Sequence, residues 1–120
     1  MKNGKINVLR MIRIAKDLNM EEMAEYFLVS KAYISAIEKG IRNISLRTLK
    51  FGLNNLGILI EDYFELVDFA EKLDEMSLNN ESKYKFMLIK TLGVVSPELK
   101  DKSNQILGEF LNSGQNKIIK

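Results

Sequence analysis

The sequence predicts an all-α protein, and three observations lead to this class. The 120 residues include one proline and seven glycines, which leaves little room for the turns of a β-rich chain. Apolar residues recur every three or four positions along nearly the whole chain, as on the buried face of an amphipathic helix. The breaks between these stretches carry Asn, Ser or Gly at positions typical of helix caps.

Four short helices are predicted in the first half of the chain. Apolar spacing and capping residues place them over residues 6–17, 20–27, 31–39 and 46–56. Asn19 precedes the second helix and Glu22 follows three residues later, as in a capping box. Ser30 and Ser45 are candidate N-caps of the third and fourth helices, and Gly57 follows the end of the fourth.

Three longer amphipathic helices are predicted in the second half. Their apolar stripes run through residues 63–73, 84–95 and 99–111. Such helices do not bury their stripes alone, so they need the first half, a second copy of the chain or another protein as a packing surface. No flexible linker precedes them, and we therefore expect the two halves to pack together.

The two halves differ in charge, although the whole chain carries only +2. Residues 1–60 carry a net charge of +5 and contain all four arginines, whereas residues 61–120 carry −3. Such a split is typical of a polyanion-binding region joined to a different module. A polyanion such as nucleic acid is therefore a candidate partner of residues 1–60, and the alternative is a chance feature of the composition.

The composition also excludes several classes of chemistry. The chain has no cysteine and no histidine, which rules out disulfides, Cys/His zinc sites and histidine-dependent catalysis. Adjacent acids such as Glu61 and Asp62 point away from each other on a helix and do not form a shared site. The composition leaves open a carboxylate-only metal site or a carboxylate acid/base pair, but we expect no enzyme activity, no metal and no cofactor. No apolar run reaches the length of a membrane span, so we expect a cytoplasmic protein without a membrane partner.

The second and third predicted helices have the arrangement of a helix-turn-helix. Two short helices follow each other through a tight turn, with one helix before them and one after. Ala24 is small where the two helices cross, and Val29, Ile34 and Ile37 are spaced to face inward. We also expect four large side chains in the core: Met20, Met23, Phe27 and Phe51.

This stretch resembles the Xre/Cro-type, lambda-repressor-like helix-turn-helix family over about half of the chain. The residues that carry the resemblance are Leu9-Arg10-Met11-Ile12-Arg13, Glu21-Glu22-Met23-Ala24-Glu25-Tyr26-Phe27, Val29-Ser30-Lys31-Ala32-Tyr33-Ile34-Ser35-Ala36-Ile37-Glu38-Lys39-Gly40, Arg42-Asn43, Ser45-Leu46, Thr48-Leu49 and Leu56-Gly57. The resemblance implies a five-helix lambda-repressor-like DNA-binding domain over residues 1–60. A C-terminal extension of about three helices follows, and we expect residues 61–120 to be a helical region for dimerisation or partner binding.

The resemblance implies a DNA-reading face on the third helix. Its members would face the major groove or the rims of the groove: Ser30, Lys31, Ala32, Tyr33, Ser35 and Lys39. Lys31 would hydrogen-bond guanine O6 and N7, and the serines would contact base edges or phosphates. Tyr33 would pack on a thymine methyl or reach a phosphate. The alternative for Tyr33 and Lys39 is an exposed position without DNA contact.

The resemblance also implies roles outside that helix. Further contacts to phosphates would come from Arg42, Asn43, Arg10 and the backbone amide near Met20. Arg13 and Glu38 would pair and tie the first helix to the third, a role that we favour for Arg13 over DNA contact.

Three positions depart from the family pattern. Met20 replaces a common glutamine, which leaves only the backbone for the phosphate contact there. Leu28 occupies the turn where glycine is common. A leucine with positive φ is costly, so we expect this turn either to differ slightly from that of the family or to carry strain. Ile44 replaces a frequent proline.

These observations predict a sequence-specific transcriptional regulator that binds double-stranded DNA. One helix-turn-helix reads one half-site, so a homodimeric repressor on a palindromic operator is the leading interpretation. The first alternative is an antitoxin or immunity regulator whose C-terminal helices bind a partner protein. The second is a regulator that responds to a small ligand or peptide through residues 61–120.

Overall fold

A computed structural model describes residues 5–119 of the chain, without the side chains of residues 111 and 113–119. All regular elements in this range are helical, which confirms the predicted all-α class. The helices are α1 (Val8–Ala15), α2 (Met20–Phe27), α3 (Lys31–Glu38), α4 (Leu46–Leu56), α5 (Ile60–Glu75), α6 (Asn80–Val95) and α7 (Lys100–Ile119), with a 3-10 turn at Pro97–Leu99 before α7.

The helix ends in the first half follow from local capping. The Asn19–Glu22 capping box is present, and Ser45 accepts a hydrogen bond from the Thr48 amide. The predicted bounds of α2 and α4 are confirmed. The prediction for α1 was too long at both ends. Asn7 is its N-cap, and Asp17 leaves the helix with a φ of 59°.

The two halves share one core, as expected from the absence of a linker. Helix α1 packs against both α5 and α6. The most deeply buried side chains come from both halves of the chain: Ile12, Met23, Phe27, Leu53, Leu66, Leu73 and Met87. Each such side chain contributes about 1.5–3 kcal/mol through burial. The C-terminal helices therefore stabilise the first half.

Helices α2 and α4 approach each other closely at Gly52. A Cβ atom there would overlap the ring of Phe27, which is buried, so only glycine permits this crossing. The expectation that Phe51 lies in the core was wrong. It is 44% exposed because the neighbouring Gly52 faces α2, and successive helical residues point about 100° apart. Met20 is only half-buried.

Helix α7 packs along α6. A Cβ atom on Gly93 would lie 2.8 Å from Ser103, whose hydroxyl donates to the Ile89 carbonyl at 2.8 Å. Leu107 is buried between the helices, but Leu99 is 40% exposed because it lies in the 3-10 turn rather than in the helix. Leu111, also predicted in this stripe, lies outside the described side chains.

Candidate nucleic-acid interface

Helix α3 is held by its apolar side. Ile34 and Ile37 are buried in the core, and Ala24 on α2 is 4% exposed. Helices α2 and α3 pack on each other, with Val29 half-buried in the turn between them. The opposite side of α3 therefore faces solvent while its back is fixed.

The turn between α2 and α3 adopts the left-handed conformation at Leu28. Its φ is 54° and its ψ is 47°, and the side chain is 75% exposed. An L-amino acid in the left-handed conformation costs about 1–2 kcal/mol, so this turn carries the backbone strain expected of a leucine with positive φ. The amide of Val29 donates to the Ala24 carbonyl at 3.0 Å, which closes the end of α2.

The residues predicted to read DNA lie at the start and along the outer side of α3. Ser30 is the N-cap, and its hydroxyl oxygen accepts from the Tyr33 amide at 3.0 Å. Its hydroxyl proton is still available to donate. Lys31 and Ala32 are exposed in the first turn, and Ser35 is half-buried one turn later. Lys39 is exposed at the C-terminal end.

Tyr33 and Arg42 are brought together. The guanidinium carbon of Arg42 lies 4.5 Å from the centroid of the Tyr33 ring, a cation–π distance. Such contacts contribute about 0.5–1 kcal/mol at exposed sites. Arg42 follows α3 in the chain and is itself exposed, next to exposed Asn43. The ring thus gives a preferred orientation to a cation beside α3.

Arg13 and Glu38 form a bidentate ion pair between α1 and α3. Arg13 Nε donates to Glu38 Oε2 at 2.6 Å, and Nη2 donates to Oε1 at 3.0 Å. Arg13 Nη1 donates to the Leu18 carbonyl at 3.0 Å. The side chains are 14% and 4% exposed. The hydrogen bond from Arg13 to Glu38 raises the pKa of the guanidinium above its usual value. This pair fixes the C-terminal end of α3.

Asn7 provides a second connection to α3 that sequence patterns did not indicate. Its Nδ2 donates to the Ile37 carbonyl at 2.9 Å. Because the first helix is predicted to start at residue 6, Asn7 is expected inside the helix, whereas the structure shows it as the N-cap. An Asn just before an apolar helical pattern is the signal from which this cap is predictable.

Met20 and Arg10 lie outside α3. The capping box engages the amides of Asn19 and Glu22, so the amides of Met20 and Glu21 are those available to a phosphate at this helix end. The carboxylates of Glu21 and Glu22 are exposed at the same end and oppose an anion there. Arg10 is exposed on α1.

Two features are absent from the part of the chain that the structure describes. Among these residues, no group of three or more Asp or Glu side chains is placed to hold a metal ion. None of the described helices is both long enough and apolar enough to cross a membrane.

Comparison with known proteins identifies the N-terminal region. Residues 9–61 match the family model described as helix-turn-helix, whose members bind DNA as regulators rather than act as catalysts. No curated protein and no solved structure gave a significant match. The matched residues contain α1 except its first residue, the whole of α2 to α4, and the first two residues of α5. Residues 9–61 of this chain therefore form a helix-turn-helix domain of the Xre, lambda-repressor-like family.

Proposed function

We propose that the chain is a sequence-specific transcriptional regulator that reads operator DNA through the outer side of α3. One observation carries this proposal: α3 is fixed at its back by buried side chains and by the Arg13–Glu38 pair, while Lys31 and Ala32 stay exposed. A rigid helix with a free outer side is what the major groove admits. Lys31 then hydrogen-bonds guanine, and Ser30 and Ser35 contact base edges or phosphates.

Cations around α3 provide the affinity that does not depend on sequence. Arg42, oriented by Tyr33, and its neighbour Asn43 bind phosphates beside the groove. Lys39, Arg10 and the amide of Met20 add contacts at the rims. Affinity therefore falls steeply with rising salt, because each neutralised phosphate releases counterions. Arg42→Ala should reduce the slope of log affinity against log salt by about 1.

The protein acts as a homodimeric repressor in this proposal. Two copies related by a two-fold axis read half-sites roughly 34 Å apart, one turn of DNA. Support comes from Leu59 and Phe64 at the start of α5, which remain 65% and 51% exposed in the single chain. Contiguous exposed apolar patches mark surfaces that a partner covers, and Leu59 and Phe64 are candidate members of such a patch. Residues 1–60 then read DNA, and residues 61–120 contribute to dimerisation or bind a partner.

A gel-shift titration with a double variant tests the DNA-reading surface. Lys31→Ala with Ser35→Ala removes two proposed base contacts while the buried side of α3 stays intact. Each good base contact provides about 1–3 kcal/mol of discrimination, so specific affinity should fall at least ten-fold. The matched control is Lys85→Ala with Ser77→Ala, two exposed residues of the same types outside the helix-turn-helix domain. Unchanged specific affinity of the first variant would overturn the proposed surface.

A further inference from the structure

Asn7 uses both ends of its amide group. Its Oδ1 accepts from the Arg10 amide at 2.9 Å and caps α1, and its Nδ2 donates to the Ile37 carbonyl at 2.9 Å. Ile37 is the penultimate residue of α3, and its carbonyl also accepts from the Gly40 amide at 3.1 Å. One side chain thus joins the start of α1 to the end of the proposed DNA-reading helix.

The residue type fits this double use. Asp, Ser and Thr also cap helices, but an ionised Asp has no donor and the Ser and Thr hydroxyls are short. Asn carries an acceptor and a donor on the same neutral group. Capping alone is therefore compatible with Asn, Asp, Ser or Thr, whereas the additional bond to Ile37 needs the amide donor of asparagine.

Asn7 and Arg13 attach the end of α3 at two separate points of α1. Six residues separate them, which corresponds to roughly 9 Å along a helix axis. One attachment holds the Ile37 carbonyl, and the other holds the neighbouring Glu38 side chain. Together with the buried Ile34 and Ile37, these two attachments restrain the direction of α3.

The C-terminal helices hold the chain just before Asn7. The Ile6 amide donates to Asp74 Oδ2 at 3.4 Å, and Asp74 Oδ1 pairs with Lys83 Nζ at 2.9 Å. Asp74 lies on α5 and Lys83 on α6, with side chains only 19% and 10% exposed. The segment that presents Asn7 is therefore anchored to the second half of the chain.

We propose that Asn7 is a positioning residue for DNA recognition, which fixes the direction of α3 through the Ile37 carbonyl. This inference rests on the proposed function, since it gives Asn7 a role in sequence discrimination by α3. Phosphate contacts away from α3 do not depend on this bond. Loss of the bond should therefore weaken specific binding more than non-specific binding.

The test compares Asn7→Ser with Asn79→Ser. Serine keeps the cap of α1 but is too short to reach Ile37. Asn79 caps α6 with the same type of bond, to the Ser82 amide at 2.8 Å, and is exposed. The same substitution at Asn79 therefore controls for the general effect of an altered cap. Both full-length variants are titrated against a selected operator and against a scrambled duplex.

For Asn7→Ser we expect the ratio of specific to non-specific affinity to fall by roughly two- to ten-fold, the range of one neutral hydrogen bond. For Asn79→Ser the ratio should stay at the wild-type value. Equal ratios in the two variants, or an equal loss of specific and non-specific affinity in Asn7→Ser, would overturn the proposal.

Amide hydrogen exchange on the free protein provides a readout independent of DNA. Asn7→Ser should accelerate exchange at Gly40, whose amide shares the Ile37 carbonyl, relative to Gly57 at the end of α4. Unchanged relative exchange at Gly40 would refute the positioning role. If wild-type protein does not discriminate between DNA sequences, the proposed function fails, and exchange at Gly40 still decides whether Asn7 holds α3.

Discussion

Replacing Arg13 with methionine tests how α3 is held in place. Methionine keeps an unbranched apolar side chain but removes the charge and three hydrogen bonds, two to Glu38 and one to the Leu18 carbonyl. The substitution leaves the Glu38 carboxylate, whose side chain is only 4% exposed, without its counterion. We therefore expect the free energy of unfolding to fall sharply.

The size of the loss follows from the burial of the pair. Removing one partner of a buried ion pair costs about 3–5 kcal/mol. Arg13 is 14% exposed, so water can reach part of the vacated space, and we expect the lower end of that range. A chain of this length has a total stability of about 6–18 kcal/mol, so the variant remains folded at room temperature. A loss of about 3 kcal/mol corresponds to a decrease in Tm of roughly 10–15 °C.

Urea unfolding of three variants measures the effect. Arg13→Met should show the full loss, whereas Arg47→Met, at an exposed arginine of α4, should change stability by less than about 0.5 kcal/mol. Adding Glu38→Leu to Arg13→Met removes the unpaired carboxylate and should recover most of the stability. An Arg13→Met loss no larger than that of Arg47→Met, or no recovery in the double variant, would refute this account.

Two further predictions concern helix packing and acid. Gly52→Ala should destabilise the protein by about 1–3 kcal/mol in urea unfolding, because the new methyl group overlaps the buried Phe27 ring. Gly108→Ala, where the methyl group meets open space in α7, should instead stabilise by about 0.5–1 kcal/mol, and equal effects would contradict the close crossing of α2 and α4. The Lys90 hydrogen bond, with the charges of nearby lysines, lowers the pKa of Glu65. This pair therefore stabilises the fold above the ordinary Glu pKa, and the contribution is lost as the pH falls through the lowered value. Carboxyl NMR titration of Lys90→Met should show a higher Glu65 pKa than in wild type, and an unchanged pKa would argue against the pair.

The helix-turn-helix was predictable because its signals are local. The capping box at Asn19 and the N-caps Ser30 and Ser45 lie within three residues of the amides that they bind. The left-handed conformation of Leu28 is one of the two alternatives that the family resemblance left open, because glycine is common at this position of the turn. Capping signals between residues so close in the chain can be recognised without knowledge of the tertiary fold.

The overlong first helix and the exposed Leu99 are local errors at helix ends, whereas the other differences concern contacts between distant residues. The expectation of a buried Phe51 rests on the general rule that large apolar side chains are usually in the core. Phe51 is exposed because its neighbour Gly52 packs against Phe27, which lies 25 positions earlier in the chain. The hydrogen bond from Asn7 to Ile37 spans 30 residues, and the apolar periodicity of the sequence does not indicate contacts between residues so far apart. The packing of α5 and α6 on α1 likewise depends on the tertiary fold.

Selection of bound sequences from a pool of random duplex DNA, with the full-length protein, tests the central claim most directly. The account predicts enrichment of one palindromic sequence, with half-site centres about 10 base pairs apart. The variant Lys31→Ala with Ser35→Ala should fail to enrich that sequence. Recovery of a pool without sequence preference, or of the same palindrome by this variant, would contradict DNA recognition through α3.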